Sequence, residues 1–190
     1  GTPLYVYSAS SIKEAYRSYS DACEGLAHVT ICYAVKANSN IHILKTLAEE
    51  GAGFDIVSAG ELARVIAAGG NPEKAVFAGV GKSAQEIEYA LNQGVGCFNV
   101  ESEAEMHRVA QVAERLQKKA NVSLRVNPDV DAKTHPYIST GLKENKFGVS
   151  MNAAQRVYQF AHSNPWLNVH GIDCHIGSQL TDASPYFDAL

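Results

Sequence analysis

Short apolar runs rich in β-branched and aromatic residues alternate along this chain with longer stretches whose apolar positions recur every three or four residues. The runs fall at 29–35, 54–57, 75–78, 97–100, 122–126 and 169–176, and Gly or Asn punctuates them. That composition suits strands buried on both faces of a parallel sheet. Helical patterns lie between them, at 61–68, 84–92, 102–118 and 152–162. In the third, Met106, Val109, Val112, Ala113 and Leu116 make the stripe of one buried face. The opening Thr2–Tyr7 reads as a strand entered in mid-stride. Pro185–Leu190 stops inside a helical pattern without Gly, Pro or a basic last turn. Both ends look cut.

Strand starts recur at steps of about 22–25 residues, the pitch of a repeated βα unit. The final step is longer and contains the segment 128–148. Such a repeat builds either a doubly wound sheet or a (β/α)8 barrel. The first would carry G-x-G-x-x-G after a strand, and none is present. Near-equal units favour the barrel, with about six of its eight strands in this chain. Barrel chemistry gathers at the C-terminal ends of the strands. There the sequence places Lys36-Ala37-Asn38, Asp55 with Ser58, Gly79, Glu101, Arg125 with Asn127, and His175 with Ser178.

Composition narrows the function classes. The 190 residues are 46% hydrophobic and 19% charged, enough for a core and unlike a disordered chain. Net charge is −4, and no basic cluster exceeds Lys118-Lys119, so a nucleic-acid partner has no footprint. No apolar run approaches the ~20 residues of a membrane span, and no signal peptide opens the chain. Four cysteines without a C-x-x-C pair imply reduced, buried thiols in a cytosolic protein. The seven histidines lack metal-ligand spacing, so no metal site is expected. No G-x-S-x-G elbow is present either.

Each candidate residue has a plain reading beside the chemical one. Lys36 ends an apolar strand; it is either a solvated strand-end lysine or an amine held in a partly desolvated pocket, the setting a Schiff base requires. His175-Ile176-Gly177-Ser178 is either a strand histidine with a serine capping the next helix, or a flat ring beside a turn that meets a phosphate. Asp55 and Arg125 form internal salt bridges, or orient a base and donate to an anionic oxygen. The segment 127–148 is long for a loop without regular structure, and its Tyr, Ile and Phe content suits a lid over the barrel mouth.

Taken together, four stretches resemble diaminopimelate decarboxylase. They are Tyr33-Ala34-Val35-Lys36-Ala37-Asn38, the run from Gly53 to Leu62, the 127–148 segment, and Cys174-His175-Ile176-Gly177-Ser178-Gln179-Leu180. That family belongs to the pyridoxal-phosphate enzymes with an alanine-racemase-like barrel. Its own branch is marked by the stretches from His135 to Gly141 and from Lys143 to Gly148. Lys133 is a small departure, standing where that branch often has histidine.

The resemblance implies an incomplete alanine-racemase-like barrel over 9–190, with residues 1–8 belonging to a β-domain not contained here. It implies pyridoxal 5'-phosphate on Lys36, His175 stacked on the ring, Ser178 at the phosphate, Asp55 supporting the site near Lys36, and Arg125 at the phenolic oxygen. The implied reaction converts meso-diaminopimelate to L-lysine in a cytoplasmic homodimer. In the family a Gly-rich phosphate loop, a glutamate for the pyridine nitrogen and a partner-reaching cysteine lie beyond residue 190, so this stretch alone is expected to be inactive. An ornithine- or arginine-type decarboxylase, an alanine racemase or a non-catalytic pyridoxal-phosphate carrier is the alternative.

Overall fold

In the computed structural model, which describes residues 1–128, 147–178 and 180–189, the chain divides into two units. One comprises Gly1–Phe77 with Gln93–Gly96, the other Ala78–Asn92 with Cys97–Leu190.

Small polar residues start the helices of the first unit. Ser8 accepts the Ser11 N–H ahead of α1 (Ala9–Ala22), and Asn40 accepts the His42 N–H ahead of α2 (Ile41–Glu49). Ser58 accepts the Glu61 N–H at the start of α3 (Ala59–Ala67), and Glu61 reaches back to accept the Val57 N–H at 2.7 Å. Each such bond satisfies a donor that the helix itself leaves without a partner. The strands β1 (Cys32–Ala34), β2 (Gly53–Ile56) and β3 (Ala75–Phe77) pair in parallel, with Ala34 beside Asp55 and Asp55 beside Val76. Val35, Leu44, Phe54, Ile56, Leu62, Val65 and Phe77 form the core of this unit. Gly53 is required by close approach. A Cβ there would lie 2.6 Å from the Lys74 carbonyl and 2.7 Å from Cys32 Sγ.

The second unit repeats the same step. It runs α4 (Ala84–Gln93, all but its last residue), β4 (Cys97–Val100), α5 (Glu103–Leu116), β5 (Ala120–Arg125), α6 (Met151–Ser163), β6 (Leu167–Asp173) and α7 (Ser184–Ala189). β4 pairs with β5 and β5 with β6, all in parallel, with one register shift between Val122 and Ser123. Ser102 and Ser150 cap α5 and α6. The predicted stripe of α5 is buried at Met106, Val109, Val112 and Ala113 and half-buried at Leu116, and Phe98, Val122 and Leu124 of β4 and β5 belong to the same unit's core.

Several expectations need correction. The first strand is shorter than 29–35, because Val35–Ala37 coils into a 3-10 turn. The sixth stops at Asp173, where its ladder with β5 ends, so His175 and Ser178 follow the strand and do not close it. β6 is also largely exposed; among the described residues its ladder runs along β5 alone. Residues 1–8 are irregular and exposed, not a strand. Of the four thiols, Cys97 alone is buried, and Cys174 is exposed. Burial, reinforced by Asp173, pushes the Cys97 thiol up to about 11. The lid segment from Asp129 to Lys146, including His135–Gly141, lies outside the described residues.

Candidate functional site

In the first unit the strand ends carry Lys36 and Asp55. Lys36 is exposed in the turn that follows β1, and the turn is pinned on both sides of it. The preceding Val35 is fully buried, while the Tyr33 hydroxyl donates to the Asn38 carbonyl at 3.2 Å. The lysine is thus an amine on a short, anchored piece of backbone. Asp55 is half-buried on the neighbouring strand, beside Ala34 in register. Burial, and then the negative charge of Asp55, raise the pKa of the Cys32 thiol.

The second unit concentrates charge where β4, β5 and β6 end. Arg125, the last residue of β5, is 9% exposed, and Glu101, just past β4, is 4% exposed. Arg125 Nη1 donates to both Glu101 oxygens at 3.0 Å. Glu101 is itself held, since Oε1 also accepts the Gly79 N–H at 3.1 Å and its own N–H donates to Glu105 Oε2 at 3.0 Å. Glu105 Oε1 in turn accepts from Lys82 Nζ, a lysine 2% exposed that also donates to the carbonyls of Gly79 and Asn99. The Arg125 guanidinium carbon lies 5.7 Å from the centre of the Phe147 ring.

Beyond Arg125 the backbone runs beside residues 147–149. Asn127 N–H donates to the Val149 carbonyl, and Val149 N–H to the Arg125 carbonyl, both at 2.9 Å. Gly148 permits this approach with φ +78, where a Cβ would sit 2.8 Å from Asn127 Oδ1 and 3.0 Å from the Arg125 carbonyl.

Among the described residues, three buried polar atoms here have no hydrogen-bond partner: Arg125 Nε, Arg125 Nη2 and Asn127 Oδ1. Leaving a buried donor unsatisfied costs roughly 1–3 kcal/mol, and more for a charged group. An acceptor, preferably anionic, is the chemistry that these two donors lack. His175 is half-buried and Ser178 exposed, both beyond the end of β6.

Asp173 sits opposite Arg125 in the β5–β6 register. Burial pushes its carboxyl up, Glu101 adds to the rise, and Arg125 and Lys82 oppose it. A carboxyl whose folded pKa is raised holds its proton more tightly in the folded chain. The resulting stability is full below the unfolded value near 3.8 and is lost as pH climbs through the raised value. Ionised Asp173 is therefore a burden at neutral pH. Asp173→Asn should raise the melting temperature at pH 7 by roughly a few degrees. The gain should shrink as the buffer is acidified; a lower melting temperature at pH 7 would contradict this account.

The structure thus places Lys36 and Asp55 on adjacent strand ends of the first unit. In the second, it pairs Arg125 with Glu101, the salt bridge that was the plainer reading, yet leaves that arginine with donors to spare. Lys82, Glu105 and Asp173 were missed from sequence. An acid inside the apolar run Ile172-Asp173-Cys174 was the available signal for the last. Among the described residues no group of three or more His, Cys, Asp or Glu is placed to hold a metal ion, and no helix is long and apolar enough to cross a membrane.

Comparison with known proteins shows the family of the chain. A family model described as the pyridoxal-binding domain of pyridoxal-dependent decarboxylases matches residues 9–190. The chain is 61% identical over 189 residues to diaminopimelate decarboxylase of Neisseria meningitidis serogroup A, covering 100% of this chain and 46% of that protein. It is 59% identical over 189 residues to the Vibrio cholerae enzyme of that name, again covering 100% of this chain and 45% of that protein. The crystal structure of diaminopimelate decarboxylase from Helicobacter pylori complexed with L-lysine matches with a TM-score of 0.97 and 48% identity, covering 100% of this chain and 48% of the other. The chain spans about half the length of the relatives it matches. Parallel βα steps in both units and the family match agree with the expected alanine-racemase-like (β/α)8 class, here in part. The chain belongs to the pyridoxal-dependent decarboxylases, and residues 9–190 are pyridoxal-binding domain.

Proposed function

We propose that this chain, within a full-length enzyme, holds pyridoxal 5'-phosphate on Lys36 and serves the decarboxylation of meso-2,6-diaminopimelate to L-lysine. The observation that carries the reading is the match along the entire chain to diaminopimelate decarboxylases at 59–61% identity. The residues present fit the cofactor. A lysine amine stands exposed on an anchored turn, and two buried arginine donors lack an acceptor of the kind a phenolic or carboxylate oxygen supplies.

When bound, the cofactor supplies an electron sink for the pair left behind as carbon dioxide departs. The chain's own residues provide attachment and orientation. Lys36 offers its amine as the point of covalent attachment, with Asp55 on the adjacent strand end supporting the site. Arg125 would donate from Nε and Nη2 to an anionic oxygen. His175 would stand against the ring, and the Ser178 hydroxyl would donate to the phosphate. The distal amino-acid end of the substrate would be read by the 127–148 segment, of which residues 129–146 lie outside the described residues. On the same reading the enzyme is a cytoplasmic homodimer, and residues 1–8 belong to a second domain.

Substrate choice tests the reading. A full-length enzyme carrying this sequence should release carbon dioxide from meso-diaminopimelate and not from ornithine, arginine or lysine. Groups that pair with the distal carboxylate are left unpaired by those three amines, a discrimination that reaches about 10⁴-fold. Comparable turnover of ornithine would move the enzyme to the polyamine branch. Cofactor uptake without turnover of any of the four would indicate a carrier.

A further inference from the structure

Arg125 and Glu101 form an ion pair of unusual economy. A guanidinium has five N–H donors and meets a carboxylate most strongly side-on, through two parallel bonds from two nitrogens. Here a single nitrogen, Nη1, serves both carboxylate oxygens at 3.0 Å each. The side-on fork, Nε with Nη2, is left over, buried and without an acceptor among the described residues.

Nothing in Glu101's own surroundings lets it swing to take that fork. Its Oε1 is tied to the Gly79 N–H, its backbone N–H to Glu105, and Glu105 to the buried Lys82. Asp173, opposite Arg125 in register, could neutralise the fork, yet neither fork nitrogen is bonded to it. The Phe147 ring lies near the guanidinium and carries no oxygen.

We propose that Glu101 is a positioning residue: it grips Arg125 by Nη1 so that the Nε–Nη2 fork stays turned to an anionic oxygen of the bound cofactor or substrate. This rests on the reading of Arg125 given above. The arginine supplies the contact, and Glu101 fixes which edge makes it. Without Glu101, the guanidinium is free to rotate and the fork loses its aim.

The test uses full-length enzyme stripped of cofactor and titrated with pyridoxal phosphate, for wild type, Glu101→Gln, Arg125→Lys and the double variant. Thermal melts and steady-state kinetics accompany each titration. Glu101→Gln should weaken cofactor binding by about tenfold, the loss expected of roughly one charge-assisted hydrogen bond. Arg125→Lys keeps a cation for Glu101 but has no fork, and should weaken it at least as much. The double variant should be no worse than the poorer single, because both act through one contact. If KM for meso-diaminopimelate rises tenfold while cofactor affinity holds, the oxygen belongs to the substrate and the positioning role stands.

A purely structural role predicts another pattern. Cofactor affinity and KM would stay within twofold in Glu101→Gln while the melting temperature falls, and that overturns the proposal. A loss in Arg125→Lys with no change in Glu101→Gln overturns it too, leaving the role of Arg125 intact. Where the Gln variant does not accumulate, Glu101→Asp decides, since it keeps the charge and shortens the reach. Weakened binding there supports the proposal, and binding within twofold of wild type overturns it. A wild-type enzyme that takes up no pyridoxal phosphate, or is not labelled on Lys36 after borohydride reduction, overturns the broader reading and this inference with it.

Discussion

Replacing Lys36 by alanine in a full-length enzyme carrying this sequence should lower turnover by on the order of 10⁴-fold if, as proposed, Lys36 is the point of covalent cofactor attachment. The fold should tolerate the change. Lys36 is exposed in its turn, and the turn is held by Val35 and by the Tyr33–Asn38 bond, so stability should move by no more than about 0.5 kcal/mol. Borohydride reduction of the loaded wild-type enzyme, followed by peptide mapping, should find the pyridoxyl group on Lys36. Two other lysines deserve comparison. Lys45 is exposed on α2, and a label there would overturn the assignment. Lys82 is buried with its ammonium already donating to two carbonyls and a carboxylate, which leaves no free amine to react. A melt that collapses in Lys36→Ala would recast the lysine as structural.

How far the sequence reveals this protein differs between backbone and charges. The strands at 53–56 and 97–100, and the helices at 84–93 and 103–116, fall within a residue or two of their apolar patterns. In those segments side-chain burial and periodicity carry the same information. The first and sixth strands end elsewhere because a strand extends only as far as its partner does. The β1 ladder opens where Gly53 N–H meets the Ile31 carbonyl, so Val29 and Thr30 lie outside it. The β6 ladder closes where Val126 N–H meets the Asp173 carbonyl. α1 was not visible at all. Its apolar positions are few, none of its residues is buried, and ion pairs from Lys13 and Arg17 to Glu50 help to seat it.

The site divides in the same way. Residues at strand ends, Lys36, Asp55, Glu101 and Arg125, are legible because barrel topology says where to look. The electrostatic frame behind Arg125 is not, because it depends on burial of groups whose local sequence looks solvated. Lys82 follows Gly79-Val80-Gly81, which reads as an ordinary polar turn. Only the packing shows it to be 2% exposed and fully engaged.

That concealed lysine should matter more to stability than any residue at the mouth. Lys82 Nζ lies 2.6 Å from Glu105 Oε1, and the two side chains are 1% and 6% exposed. Lys82→Met fills similar space but leaves the Glu105 carboxylate buried without its cation, and removes the lysine's hydrogen bonds to the carbonyls of Gly79 and Asn99. Breaking a buried pair from one side costs about 3–5 kcal/mol, since the remaining charge keeps its desolvation penalty and loses its partner. The denaturant midpoint of the full-length enzyme should fall accordingly. Adding Glu105→Gln should recover part of the loss by removing the stranded charge. Recovery should be incomplete, because Glu105 Oε2 also accepts the Glu101 N–H and the lysine's bonds to the two carbonyls stay lost. A Lys82→Met enzyme as stable as wild type would mean that water reaches Glu105 and that the pair is not buried in solution. Equal losses in the single and double variants would instead place the cost in the two carbonyls and not in the ion pair.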